Sequence, residues 1–175
     1  MFDTDASDMD EAFVMSKSFD APRELVFRAW TDTEELKRWF GPAGMTMPTC
    51  SLDLRPGGGF HYCLRTPDGF EMWGKWTFVE IDPPHRFILI QSFSDASGAV
   101  TRHPMSATWP LRTHSTTTFE EDDGKTTITI RWAPYEATDV ERETFAGAHA
   151  GMLQGWSGTF ERLSAYLDKA TEIPS

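Results

Sequence analysis

Cysteine is scarce, basic residues do not cluster and no long apolar run is present, and each of these absences removes a class of function. The two cysteines, Cys50 and Cys63, in a chain of 175 residues form no Cys-x-x-Cys pattern and are too few for a disulfide framework. Lys and Arg total 16 against 27 Asp and Glu, a formal charge of −11. Phosphate binding needs clustered cations that displace counterions, so neither nucleic acid nor an anionic membrane surface is expected as a partner. No stretch of about 18 apolar residues marks a spanning helix. The first residues are acidic instead of basic and then apolar, so no signal peptide is expected, and the location that follows is cytoplasmic. His61, His85, His103 and His114 lack close ligand spacing, which leaves no metal expected. The run Gly57-Gly58-Gly59 opens no helix, so it is no phosphate cradle, and no cofactor is expected.

What the chain has in quantity is aromatic surface. Seven Trp and 13 Phe must be buried or used. Residues 1–12 include Asp3, Asp5, Asp8, Asp10 and Glu11 and read as a solvated acidic tail. A single domain is expected over 13–170, a size that supports one sizeable core.

Hydrophobic periodicity then orders the elements. Phe13 to Phe19 alternates loosely, as an edge strand does. Asp20 is expected to cap a helix with Leu25, Val26, Ala29 and Trp30 on one face, and Thr33 a second helix that ends at Gly41-Pro42. From Cys50 the period becomes two, and turns at Arg55 to Gly59, Pro67-Asp68-Gly69 and Pro83-Pro84 delimit an antiparallel meander. Residues 94–113 show no period and read as a long connection or lid. Asp123-Gly124 fits a type I′ turn that sets Phe119 opposite Ile128. Phe145, His149, Met152, Trp156, Phe160, Leu163 and Leu167 recur at steps of three and four, which predicts one long amphipathic helix lying on the sheet. The fold class that follows is α+β.

This order resembles the helix-grip fold of the START and birch-pollen-allergen (SRPBCC) superfamily: a curved antiparallel sheet of six or seven strands wrapped on a long C-terminal helix, with two short helices after the first strand. Within it, Ala21-Pro22-Arg23-Glu24-Leu25-Val26-Phe27, Arg38-Trp39-Phe40-Gly41-Pro42, Asp53-Leu54-Arg55-Pro56-Gly57-Gly58, Glu80-Ile81-Asp82-Pro83-Pro84-His85-Arg86 and Gly155-Trp156-Ser157-Gly158-Thr159 resemble the activator of heat-shock-protein-90 ATPase homologue family. The resemblance spans Phe13 to Leu167. It implies a cavity between helix and sheet, and through the family's name a co-chaperone and the stress response. Related helix-grip proteins include polyketide cyclases and aromatases. Members of this family commonly carry Gly where Trp76 stands, so an inward Trp76 is expected to narrow the cavity.

The function expected is the binding of a small apolar or aromatic molecule. Trp30, Trp39, Phe40, Tyr62, Trp76, Phe78, Trp109, Met152 and Trp156 are the candidate walls, with Thr117 and His149 as polar groups. His149, expected buried and neutral, is the one candidate for acid–base catalysis, paired with Tyr62, as a cyclase or aromatase would use it. A protein partner is the third reading. Gly147, Gly151, Gly155 and Gly158 are placed off the apolar stripe, where they would face solvent or permit a homodimer contact.

Strand register decides the state of the cysteines. Pairing Leu54 with Phe60, Leu52 with Tyr62 and Cys50 with Leu64 gathers the large apolar side chains on one face and sends Cys63 to the other. No disulfide is then expected, and a thiol count on denatured, unreduced protein should find two reactive groups. Fewer than two would show that register or compartment was misread.

Overall fold

The structure, a computed structural model, describes residues 12–41, 44–104 and 106–172. The acidic tail expected at 1–12 lies, apart from Ala12, outside the described residues, as does Pro42. Strand β1 (Phe13–Phe19) leads into helices α1 (Arg23–Thr31) and α2 (Thr33–Trp39). Strands β2 (Thr46–Leu52), β3 (Gly59–Arg65), β4 (Glu71–Asp82), β5 (Arg86–Ser94), the two-residue β6 (Val100–Thr101), β7 (Thr113–Asp122) and β8 (Lys125–Pro134) follow. Helices α3 (Asp139–Gly147) and α4 (His149–Glu172) close the described chain. The strands form one antiparallel sheet in the order β1-β8-β7-β5-β4-β3-β2, with β6 paired to β5. This is the helix-grip arrangement.

Local chemistry explains most boundaries and corrects several. Helix α1 begins after Pro22, not at a cap on Asp20, and no side chain of its own segment caps it. The first backbone N–H, that of Arg23, instead donates to Glu121 Oε1 on β7 at 2.9 Å, so the sheet satisfies a donor that the helix leaves open. Asp32, not Thr33, caps α2, its Oδ1 accepting from the N–H of Glu34 at 2.9 Å and of Glu35 at 3.2 Å. In the last hairpin Asp123 and Gly124 both have positive φ, 54° and 78°, and Phe119 pairs with Ile128 as the turn type requires.

Two larger expectations need correction. The β2–β3 register is offset by two residues, because Leu52 pairs with Phe60 and Cys50 with Tyr62. The loop between them is wider than a tight turn, as Gly57 N–H donates to the Phe78 carbonyl and Phe78 N–H to that of Gly58, so the loop docks along β4 and leaves Leu54 exposed. A shift of two preserves which face each side chain takes. Cys50 therefore packs against the core, Cys63 is buried on the opposite face, and both are free thiols.

The final amphipathic run is not one helix. It breaks at Ala148, whose N–H turns back to the Phe145 carbonyl at 3.1 Å, so Phe145 stands in the last turn of α3, which ends at Gly147, and His149 begins α4. His149 is accordingly half-exposed at the start of α4, its ring edge-on to Phe13 and Phe145. The long connection also holds structure, in the β6 pairing with β5.

The core is aromatic and off-centre. Trp30 of α1 meets Trp39 at 4.9 Å between ring centroids, Phe87 at 5.9 Å and Phe119 at 6.1 Å, and stacks on Trp156 of α4 at 6.1 Å. Arg162 ties α4 to the loop after α2 by donating to the Gly41 carbonyl at 2.9 Å. Among the described residues no helix is long and apolar enough to cross a membrane.

Trp30 is buried, and its indole N–H has no hydrogen-bond partner. Trp30→Ala is expected to cost about 3–5 kcal/mol in chemical denaturation. Trp30→Phe keeps a ring and removes the unpaired donor, so it should cost much less. Equal losses for the two would show that ring packing is not what Trp30 contributes.

Candidate functional site: a neutral cavity under the long helix

Between the first half of α4 and the sheet lies a cavity of about 410 Å³. Strands β3, β4 and β5 build its floor with Tyr62, Leu64, Met72, Gly74, Gln91 and Phe93. These residues reach it because alternate side chains of neighbouring strands point to one face, and Tyr62 pairs with Gly74, which pairs with Phe93. The far wall comes from Thr113 on β7, Trp132 on β8 and the segment carrying His103, Trp109 and Pro110. Helix α4 supplies the roof with Gly151, Met152, Gly155, Trp156 and Thr159.

The roof depends on glycine. Gly151, Gly155 and Thr159 stand four residues apart on one helix face. A Cβ at Gly151 or Gly155 would meet no atom within 4 Å, so the missing side chains are open volume. Of the four helix glycines expected at solvent or at a second copy of the chain, Gly147 and Gly151 are exposed, while Gly151 and Gly155 also border the cavity. The row i, i+4, i+8 next to Met152 and Trp156 was the available signal.

The floor depends on another glycine. A Cβ at Gly74 would come within 2.6 Å of Tyr62 Cζ and Oη. Only Gly at the paired position lets the phenol lie flat across β4, which accounts for a glycine in mid-strand. Burial pushes the Tyr62 phenol up to about 12, outweighing the neighbouring Gln91 and Trp76 side chains, which pull it down. It is therefore protonated at neutral pH.

Five of the residues expected at the site are on the cavity wall: Phe40, Tyr62, Trp109, Met152 and Trp156. Trp30, Trp39, Trp76 and Phe78 lie in the solid aromatic core beside it. Trp76 does point inward, packing on Phe40, Phe60 and Phe87, and fills space that a smaller residue would leave to the cavity. Thr117 is buried on the inner face of β7 but does not reach the wall, and neither does His149. The pair His149 and Tyr62 is thus not assembled. Gln91, Ser92, Thr113 and His103 were missed, because polar or irregularly placed residues carry no apolar periodic signal, and Trp132 was missed although it continues the period-two run of Ile128 and Ile130 on β8.

Among the described residues that line the cavity none is Asp, Glu, Lys or Arg. Two of the lining hydroxyls are spent locally: Thr159 donates to the Gly155 carbonyl at 3.0 Å and Thr113 to that of Gln91 at 3.5 Å. Burial lowers the His103 imidazole, which leans on Phe93 at 4.6 Å and Trp109 at 5.9 Å. The His103–Trp109 segment is fastened from outside by Arg102, which pairs with Glu141 and donates to the Trp109 carbonyl at 3.3 Å. Burial alone would raise the Glu141 carboxyl, but the Thr138 N–H and Arg102 outweigh it and hold the carboxyl below its usual range. Among the described residues no group of three His, Cys, Asp or Glu could hold a metal ion.

The family model described as Activator of Hsp90 ATPase homolog 1-like protein matches residues 20–168. Among solved structures, a Mycobacterium smegmatis protein is 26% identical with TM-score 0.73, covering 92% of this chain and 93% of its own. An Arthrobacter aurescens protein is 28% identical with TM-score 0.74, covering 95% and 90%. A Nitrosomonas europaea protein, 23% identical with TM-score 0.74 over 97% and 100%, shares the fold. No curated protein matches.

Two phenols are held high, Tyr62 and Tyr166, both to about 12, Tyr62 by burial and Tyr166 by burial and its bond to Glu35. A folded pKa raised above the unfolded value gives stability that is complete below the unfolded pKa, near 10, and lost as pH rises through the folded one. Stability should therefore fall between about pH 10 and 12, and Tyr62→Phe should flatten that fall. Identical alkaline slopes in the two proteins would contradict the buried phenol.

Proposed function

The chain belongs to the Activator of Hsp90 ATPase homolog 1-like family, and from that premise we propose that it binds a small, uncharged, apolar or aromatic molecule between α4 and the sheet. Domains of this fold are commonly ligand-binding. The observation that carries the reading here is a cavity of about 410 Å³ whose wall is largely apolar and, among the described residues, holds no Asp, Glu, Lys or Arg. That volume is within the range of about 300–1,000 Å³ usual for small-molecule sites. An anion or a cation entering it would lose hydration with no countercharge to replace it. Two free thiols support a reducing, cytoplasmic setting. Neither catalysis through His149 nor a protein partner has an observation of this kind behind it. His149 is off the wall, and the exposed large apolar residues, such as Leu54, Phe70, Val140 and Leu153, come from separate segments.

The glycine roof provides the test. Gly155→Leu replaces a helix-interior glycine, which favours the helix by about 0.8–1 kcal/mol, and directs a side chain into open volume. The variant is expected to melt higher than the parent and to bind a neutral two-ring aromatic probe, read by tryptophan quenching, at least about tenfold more weakly. A parent that binds no such probe, or a variant that binds it unchanged, would remove the cavity as the binding site. Native mass spectrometry of protein from its own host should retain the bound molecule.

A further inference from the structure

One aromatic residue of the cavity wall, Trp109, belongs to no strand. It stands in the connection between β6 and β7, where Ser106 N–H donates to the His103 carbonyl and Trp109 N–H to that of Ser106, both at 3.3 Å. Bonds of that length within a turn hold a backbone weakly. The Trp109 ring rests on Phe145 of α3 at 5.5 Å, on His103 at 5.9 Å and on Trp132 at 6.0 Å.

The firmer hold comes from α3. Arg102 Nη1 donates to the Trp109 carbonyl at 3.3 Å and to Glu141 Oε2. The other oxygen of the same carboxylate, Oε1, accepts the Thr138 N–H at 2.9 Å and closes the capping box that starts α3. The hydroxyls of Thr108 and Thr144 meet at 2.9 Å, a second tie between the same segments. Half of the Arg102 side chain is exposed (51%), against 9% for Glu141. A solvated guanidinium samples many rotamers, whereas a buried carboxylate with both oxygens engaged selects one.

Resting on the binding reading above, we propose that Glu141 is a positioning residue of the binding site: from outside the cavity, and through Arg102, it sets where Trp109 stands and thereby how tightly the ligand is held. Neither Arg102 nor Glu141 lines the cavity. Wall position matters because a gap of about 0.5–1 Å already forfeits a quarter to a half of each dispersion contact. Glu141→Gln separates this role from capping. Its amide oxygen can still accept the Thr138 N–H, while its NH₂ group then faces Arg102 as donor against donor.

The experiment titrates 2-acetylnaphthalene into the full chain by calorimetry, in the parent, Glu141→Gln, Trp109→Phe and the double variant. Glu141→Gln is expected to bind about fivefold more weakly than the parent, and to add little to the loss already caused by Trp109→Phe. In protein labelled with 5-fluorotryptophan, the ¹⁹F resonance missing from Trp109→Phe should move in Glu141→Gln, while those of Trp30 and Trp39 stay in place. Unchanged affinity in Glu141→Gln overturns the proposal and leaves the cavity reading standing. So does an equal loss in the Trp109→Phe background, since Glu141 would then act on the fold and not on that wall residue. Failure of the parent to bind the probe overturns the cavity reading itself, and this proposal with it. Should Glu141→Gln not fold, Arg102→Met breaks the same tie from its other end, and its non-additivity with Trp109→Phe decides.

Discussion

A straight helix cannot cover a bent sheet evenly, and the space this mismatch leaves is the constraint on which the rest of the molecule depends. At one end Trp30 closes it. That ring joins α1, α2, the sheet and α4 through Trp39, Phe87, Phe119, Trp156 and Phe160, so the helices are held to the sheet by aromatic contact. Edge-to-face and stacked pairs of this kind add to the area they bury. At the other end the same helix presents glycine, and the gap stays open.

The division between solid core and cavity therefore runs along α4. From Trp156 onward its inner positions are Phe160, Leu163 and Leu167, all buried. Before Trp156 the helix borders the cavity with Gly151 and Gly155 beside the buried Met152. Trp156 sits at the boundary, stacked on Trp30 on one side and lining the cavity on the other. Trp76 marks the same boundary on the sheet, packed on Phe60 and edge-on to Tyr62 of the cavity floor.

Most of the fold was legible because it is written in periodicity. The alternation of the strands, the Asp123-Gly124 turn and the 3.6-residue stripe from Met152 to Leu167 all follow from burying one face, and Phe119 facing Ile128 follows from turn geometry. The β2–β3 register was read two residues out because parity sees only which face a residue takes, and a slip of two leaves every face unchanged. The break at Ala148 was illegible for a related reason: Phe145 and His149 keep the helical spacing across it, so the pattern continues where the backbone does not. His149 thereby looked like a core residue and is half-exposed. The aromatic walls at Phe40, Tyr62, Trp109 and Trp156 could be anticipated from composition, whereas Trp30, Trp39, Trp76 and Phe78 are of the same types and pack solid.

What separates wall from core is thus not the aromatic residues but what stands opposite them. Tyr62 faces Gly74 across the strand pair, and Trp156 shares its helix face with Gly151, Gly155 and Met152, so their neighbours leave room. Phe87 faces Trp30, Phe119 and Trp76, and theirs do not. Glycine inside a helix and inside a strand both weaken the element that carries them. A chain that accepts this at Gly74, Gly151 and Gly155 gives up stability at positions that border the cavity, whereas Gly158, in the aromatic half of the helix, borders none of it. The distribution of small residues, read against the aromatic ones, is what points to the open end of the interface as the working part of the molecule.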